Sequence, residues 1–247
     1  MKSVLKWGSL CIVVYFVFLI IRLPAVQVLS RIQLSDAVNI SGISGTIWNG
    51  HAQRAQVNGL PINDFNWSLA FFPLLLGELS ADIKAGNMRD VDQISVTGHV
   101  SFKGQRFQVE NLLAYIPANL GISLLPLPIP IQADGRFKLQ LNKMDYQAGC
   151  QIFTGQGQWL NANFTSVAGV IELGNFNADL NCQNGSVVLD VKQPNSFGLT
   201  AKATIPANMK FKIEGRFKPE ANLPKEVHQA AQFFGKADAN GYYPIKF

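Results

Sequence analysis

Apolar and polar residues alternate with a period of two through most of the chain, the spacing of strands that bury one face and wet the other. Phe65, Trp67 and Leu69 stand against Asn66 and Ser68, and Leu79, Ala81, Ile83 and Ala85 against Ser80, Asp82 and Lys84. Ile94, Val96, Val100 and Phe102 share one parity, with Ser95, Thr97, His99 and Ser101 on the other. Phe137, Leu139 and Leu141 alternate with Arg136, Lys138 and Gln140, and Phe176, Ala178, Leu180 and Cys182 with Asn175, Asn177, Asp179 and Asn181. Asn184-Gly185 is a type I′ hairpin signal, followed by Val187, Leu189 and Val191. Phe197 to Ile205 and Phe211 to Phe217 repeat the habit. The pattern predicts a mainly β protein, a twisted antiparallel sheet shaped as a groove or a sandwich.

Helical spacing is scarce. Leu223, Val227, Ala230, Ala231 and Phe234 fall on one helical face, with Pro224 at the start and Gly235 just past the end, which predicts one short C-terminal helix over an opening of the sheet. Asn111 to Ile116 reads as a single helical turn, and Phe71 to Gly77 as an apolar turn between strands. Leu125 to Ile131 carries prolines at 126, 128 and 130, so it reads as an extended edge or a linker splitting the strand-rich part of the chain into two sub-halves.

The N-terminus departs from the alternation. Trp7 to Ile21 is 15 uncharged residues, with Lys2 and Lys6 before it, Arg22 after it and no acidic residue before Asp36. Leu23 to Leu29 continues the apolar character, so with Arg22 snorkelling, residues 7–29 are expected to form a transmembrane anchor. Residues 1–6 would be a cytoplasmic tail and 30–247 an exported domain, in keeping with the positive-inside rule. The alternative is a cleaved signal peptide, for which the best cleavage site, Val28-Leu29-Ser30, lacks the small residue at its first position. Both readings export the remainder.

Charge and cysteines refine this picture. Taking Lys2, Lys6 and Arg22 from 21 basic residues leaves 18 against 16 acidic, a net of +2 without a basic run, so nucleic acid is not an expected partner. Cys11 falls within the anchor, where it serves as a small hydrophobe. Cys150 and Cys182 lie in the exported part, where oxidising conditions favour a structural disulfide.

Candidate chemistry is sparse. His51, His99 and His228 lack metal-ligand spacing and read as solvated surface residues, and Asp90 and Asp92 as a loop pair. Gly155-Gln156-Gly157 lacks the third glycine of a dinucleotide site and reads as a turn. No catalytic, cofactor or metal residue is assigned. The aromatic residues, 11% of the chain, point instead to packing or to a groove, with Trp48, Trp67 and Trp159 in strand contexts as a candidate apolar face.

Longer stretches add a resemblance. They are Ser41 to Gly50 (SGISGTIWNG), Asn66-Trp67-Ser68-Leu69 with Pro73 and Leu74 to Gly77, and the block at 127–137 (LPIPIQADGRF). Cys150 ahead of Gly157-Gln158-Trp159, Glu172-Leu173-Gly174 ahead of Cys182, and the tail from Phe234 to Phe247 extend them. In these features the chain resembles the protein N family of the type II secretion system, which exports folded proteins across the bacterial outer membrane. The resemblance implies a bitopic inner-membrane protein with a periplasmic β-domain, partnered by other secretion components. It brings no catalytic residues. More weakly, the fold resembles the open β-groove of AsmA-like lipid-handling proteins, so the alternative is a carrier of lipids or other hydrophobic ligands; an exported enzyme is a third. An exposed edge around Leu127 would accept a partner's strand.

Overall fold

The computed structural model describes residues 2–31, 37–123, 132–166, 169–208 and 210–246. It begins with α1 (Lys2–Ile21) and α2 (Ala25–Leu29), followed by β1 (Val38–Gly45), β2 (Asn49–Val57), β3 (Leu60–Leu69), the short α3 (Phe71–Leu75), β4 (Leu79–Ala85) and β5 (Ser95–Lys103). Next come β6 (Arg106–Pro117), α4 (Ala118–Ser123), β7 (Ala133–Tyr146), β8 (Cys150–Ser166) and β9 (Gly169–Gln183). Last are β10 (Ser186–Lys192), β11 (Thr200–Ile205), β12 (Lys212–Phe217), α5 (Lys225–Ala231) and β13 (Tyr243–Lys246).

Among the described residues the 13 strands form one sheet, in which each strand pairs antiparallel with the next in sequence. No pairing joins β1 to β13, so the sheet is open and there is no second sheet to make a sandwich. Short turns make this order cheap, because an antiparallel neighbour needs only a hairpin. Asn184 and Gly185 have φ of 51° and 74°, as a type I′ turn requires, and Asn58-Gly59 repeats this at 50° and 85°.

Register carries the alternation from strand to strand. Leu69, Ala81, Val100, Val109, Met144 and Phe153 are successive partners across β3 to β8. Leu112, Leu141, Gly155, Leu180, Leu189, Ala203 and Ile213 are successive partners across β6 to β12. Side chains on directly paired residues share a face, so these rows make one face apolar across the sheet. The opposite face carries Ser68, Asp82, His99, Glu110 and Lys143, then Asp179, Asp190, Lys202 and Glu214.

Three local expectations are corrected. Residues 111–116 are part of β6, not a helical turn: Asn111 takes φ 50° opposite a register shift between Thr97 and His99, and asparagine tolerates that conformation in a bulge. Gly155-Gln156-Gly157 lies inside β8, not in a turn. Gly155 is there for close approach, since a Cβ would stand 2.4 Å from the Gln140 carbonyl oxygen. Third, the apolar turn expected over 71–77 does connect two strands, β3 and β4, but contains a short helix, Phe71–Leu75.

The Pro-rich segment, including the proposed strand-accepting edge at Leu127, lies outside the described residues. β6 and β7 on either side of it pair directly from Phe107↔Tyr146 to Pro117↔Arg136, so the sheet runs on without interruption. Among the described residues the edge strands are β1 and β13.

The expected membrane span over 7–29 is not supported as one element. α1 stops at Ile21, Pro24 bridges to Thr46, and α2 packs on β1 with Ala25 fully buried. Among the described residues no helix is long and apolar enough to cross a membrane.

Candidate interaction faces

The apolar face is closed at one end and open at the other. At the closed end, Trp159 on β8 is the hub of an aromatic row. Its ring centroid lies 5.4 Å from Phe137, 5.5 Å from Phe164 and 5.7 Å from Phe176, and Nε1 donates to the Asp134 carbonyl at 3.0 Å. Phe176 continues to Phe197, Phe197 to Phe217, and Phe217 to Tyr243 at 5.5 Å. α5 lies over this cluster, with Val227 in a core with Ala162, Ile171, Leu173 and Phe176, and Leu223 packed against it. Pro224 sets the start of α5, and Gly235, at φ 115°, follows the 3-10 turn at its end.

At the other end the turns β1–β2, β3–β4, β5–β6 and β7–β8 come together, because consecutive antiparallel strands reverse direction. There the apolar face is exposed: Leu79 and Phe102 are register partners, each 48% exposed, and Phe107 follows at 38%. The disulfide Cys150–Cys182 is also at this end, with Cα atoms 5.7 Å apart, joining the start of β8 to the end of β9. Cys150 is buried with Leu141, Phe153 and Leu180, the apolar parity that Cys182 shares.

The three tryptophans proposed as an apolar face divide. Trp67 and Trp159 lie on the apolar face of the sheet, at different ends, while Trp48 sits in the β1–β2 turn. Trp67 covers Gly50, where a Cβ would meet Cζ2 at 2.0 Å, and donates to the Ile47 carbonyl at 3.0 Å. Trp48 donates to the carbonyl of Ile20, in the last turn of α1, at 2.7 Å, and stacks edge-on to Phe71 at 5.2 Å.

On the polar face, two constellations were not visible in the sequence. Ser80 Oγ lies 2.9 Å from His99 Nε2, and His99 Nδ1 lies 2.8 Å from Asp82 Oδ1. His99 is therefore not simply a solvated surface residue. The order hydroxyl, imidazole, carboxylate is that of a hydrolase triad. Access separates it from one: Ser80 is only 5% exposed, and a concavity of about 490 Å³ is walled by Asp82 and His99 but not Ser80. The three side chains form a hydrogen-bonded run between β4 and β5. Ser80→Ala is expected to cost about 1 kcal/mol of stability, read as a lower denaturation midpoint. An unchanged midpoint would show that the Ser80 hydroxyl contributes nothing to the fold.

The second constellation is Arg106 with Asp145, 39 residues apart. Asp145 is buried on β7; Arg106 Nε donates to its two oxygens at 2.9 and 3.1 Å, and Gln108 Nε2 adds a bond at 3.2 Å. Hydrogen bonds from Arg106 hold the Asp145 carboxyl below its ordinary pKa, against the opposing effect of burial. A depressed carboxylate stabilises the fold above its unfolded pKa, and that contribution fades as pH falls through the folded pKa. Asp145→Asn is therefore expected to lower the denaturation midpoint by a constant amount from pH 8 to about 5, with the gap to wild type narrowing below about pH 4. Midpoints of both proteins measured across this range test the sign.

The other candidates stay apart. Asp90 and Asp92 are in the β4–β5 loop, where Asp90 accepts from the Asp92 amide at 3.0 Å and from Gln93 at 2.7 Å. His51 meets Asn66 on β3 at 3.1 Å. Among the described residues no group of three or more His, Cys, Asp or Glu could hold a metal ion.

The comparisons with known proteins agree along the chain. The family model of the type II secretion system protein N matches residues 36–246. The chain is 30% identical to the type II secretion system protein N of Vibrio cholerae over 99% of its own length and 98% of that protein. It is 26% identical to the protein of that name from Aeromonas hydrophila, over 100% and 98% of the two chains. With the Klebsiella pneumoniae protein of that name it shares 27% identity, over 100% and 96%. No solved structure matches. A family match over nearly the whole sheet, with relatives of the same length, places the chain in the type II secretion system protein N family.

Proposed function

We propose that this chain is a non-enzymatic inner-membrane component of the type II secretion system, contributing to export of folded proteins across the outer membrane through periplasmic protein–protein contacts. The observation that carries the reading is the end-to-end likeness to proteins of that name, which includes the N-terminal helix as well as the sheet. α1, extended by the flanking residues of the 7–29 stretch, is the proposed single-pass anchor, its N-terminus cytoplasmic. Val14 to Ile21 are eight consecutive apolar side chains, all between 46% and 62% exposed, and a helix apolar all round calls for nonaqueous surroundings. The sheet then lies in the periplasm, where the Cys150–Cys182 disulfide is at home. A photo-crosslinker at Thr97 or Lys138, on the polar face, tests the contacts in cells. Crosslinks to other secretion components support the reading; capture of phospholipid alone defeats it.

The second reading, a periplasmic carrier of lipid or another hydrophobic ligand, is favoured by the continuous apolar face, open at the Leu79–Phe102–Phe107 end. Native mass spectrometry of the full chain after incubation with phosphatidylethanolamine tests it. A stoichiometric lipid adduct supports a carrier, and its absence removes the reading.

A further inference from the structure

The exposed segment around α3 is more apolar than any other stretch of the described sheet turns. From Ala70 to Gly77 the sequence is AFFPLLLG, without a charge or a hydrogen-bonding side chain. Phe72 is 79% exposed, Leu75 68% and Leu76 75%, with Phe71 at 44% and Leu74 at 38%. A soluble turn at the tip of a hairpin ordinarily carries polar residues, and contiguous apolar exposure marks a contact surface.

Its position identifies the contact. The β1–β2 turn holds the end of α1: Ile47 N–H donates to the Leu23 carbonyl at 3.1 Å, and Trp48 Nε1 to that of Ile20. Trp48 also stacks on Phe71, whose ring is 5.9 Å from that of Phe72. One indole thus ties the point where α1 leaves the sheet to the apolar helix α3. An amphipathic indole between apolar rings and backbone carbonyls is suited to the membrane–water interface.

We propose that the α3 segment is a second membrane contact, inserting Phe72, Leu75 and Leu76 into the leaflet from which α1 emerges. The proposal rests on reading α1 as the anchor. It sets the open end of the sheet on the bilayer, so that the exposed row Leu79, Phe102 and Phe107 continues the inserted surface onto the apolar face. The occupant is lipid rather than another protein because the patch is continuous with α1 through Trp48, and α1 exposes apolar side chains around its circumference.

The test uses the full chain in vesicles of phosphatidylethanolamine and phosphatidylglycerol, with and without acyl-brominated phosphatidylcholine. Single cysteines replace Phe72, Leu75, Phe16 and Lys84 in separate Cys11→Ser proteins, the disulfide is kept oxidised, and each is labelled with an environment-sensitive fluorophore. Expected are blue-shifted emission and strong bromine quenching at 72 and 75, quenching at 16, and neither effect at Lys84 on the polar face. Quenching at 16 with water-like emission at 72 and 75 overturns the second contact while leaving the anchor. A blue shift at 72 and 75 without quenching also overturns it, in favour of a protein partner. Loss of quenching at 16 removes the anchor reading and, with it, the proposal. Circular dichroism of each protein confirms that the sheet has formed.

Discussion

Trp159→Ala is expected to lower the stability of the folded sheet by about 3 kcal/mol, the lower part of the range for removing a large aromatic, because Trp159 is partly exposed. The side chain joins Phe137, Phe164 and Phe176 and holds the Asp134 carbonyl, so alanine leaves a void against three rings and an acceptor without its donor. For a protein of this size, that corresponds to a fall in melting temperature of roughly 6–12 °C. Trp159→Phe keeps an aromatic body and loses the hydrogen bond, so about 1 kcal/mol is expected. Denaturant midpoints for the three proteins check the order wild type, Phe, Ala. Equal midpoints for wild type and Ala would show that the aromatic row does not hold the closed end together.

Breaking the Cys150–Cys182 bridge is expected to cost a similar amount, about 2–4 kcal/mol. The bond closes a loop of sequence separation 32 and fastens β8 to β9 at the end away from their hairpin turn. Its main effect falls on the unfolded chain, which gains the freedom that the loop had removed. Buried Cys150 adds a packing component. The Cys150→Ala, Cys182→Ala double variant is expected to keep the far-ultraviolet spectrum of a β protein, to unfold at lower denaturant and to ignore added reductant. Wild type should shift toward the variant when reduced. A wild-type midpoint insensitive to reductant would exclude the bridge as a source of stability.

The sheet was legible in the sequence to a large degree because alternation is a local property. A strand that buries one face repeats every two residues whatever it pairs with, so the apolar parity of Leu79 to Ala85 or Phe176 to Cys182 could be read before any partner was known. The Asn184-Gly185 turn was equally local, since its dihedral angles suit those residue types. Pro224 and Gly235 bracketed the C-terminal helix for the same reason. Errors fell where a local pattern permits two conformations. Asn111 tolerates both a turn and a bulge, and Gly155 both a turn and a close crossing of strands; the neighbouring strand decides between them.

Membership in the protein N family, the paired cysteines and the mainly β character were thus determined by the sequence itself. What the tertiary structure decided was where those pieces meet. Alternation cannot distinguish one sheet from the two of a sandwich; the consecutive pairing of the 13 described strands does. Ser80, His99 and Asp82 meet because Asp82 and His99 are register partners, and Arg106 meets Asp145 because β6 and β7 run antiparallel. The junction of Ile20, Trp48 and Phe71 joins three segments whose proximity depends on the accumulated register of three strands and the turns between them. Contacts between residues tens of positions apart are fixed by hydrogen-bond register and bulges, which sum over the chain and leave no local signature at either partner.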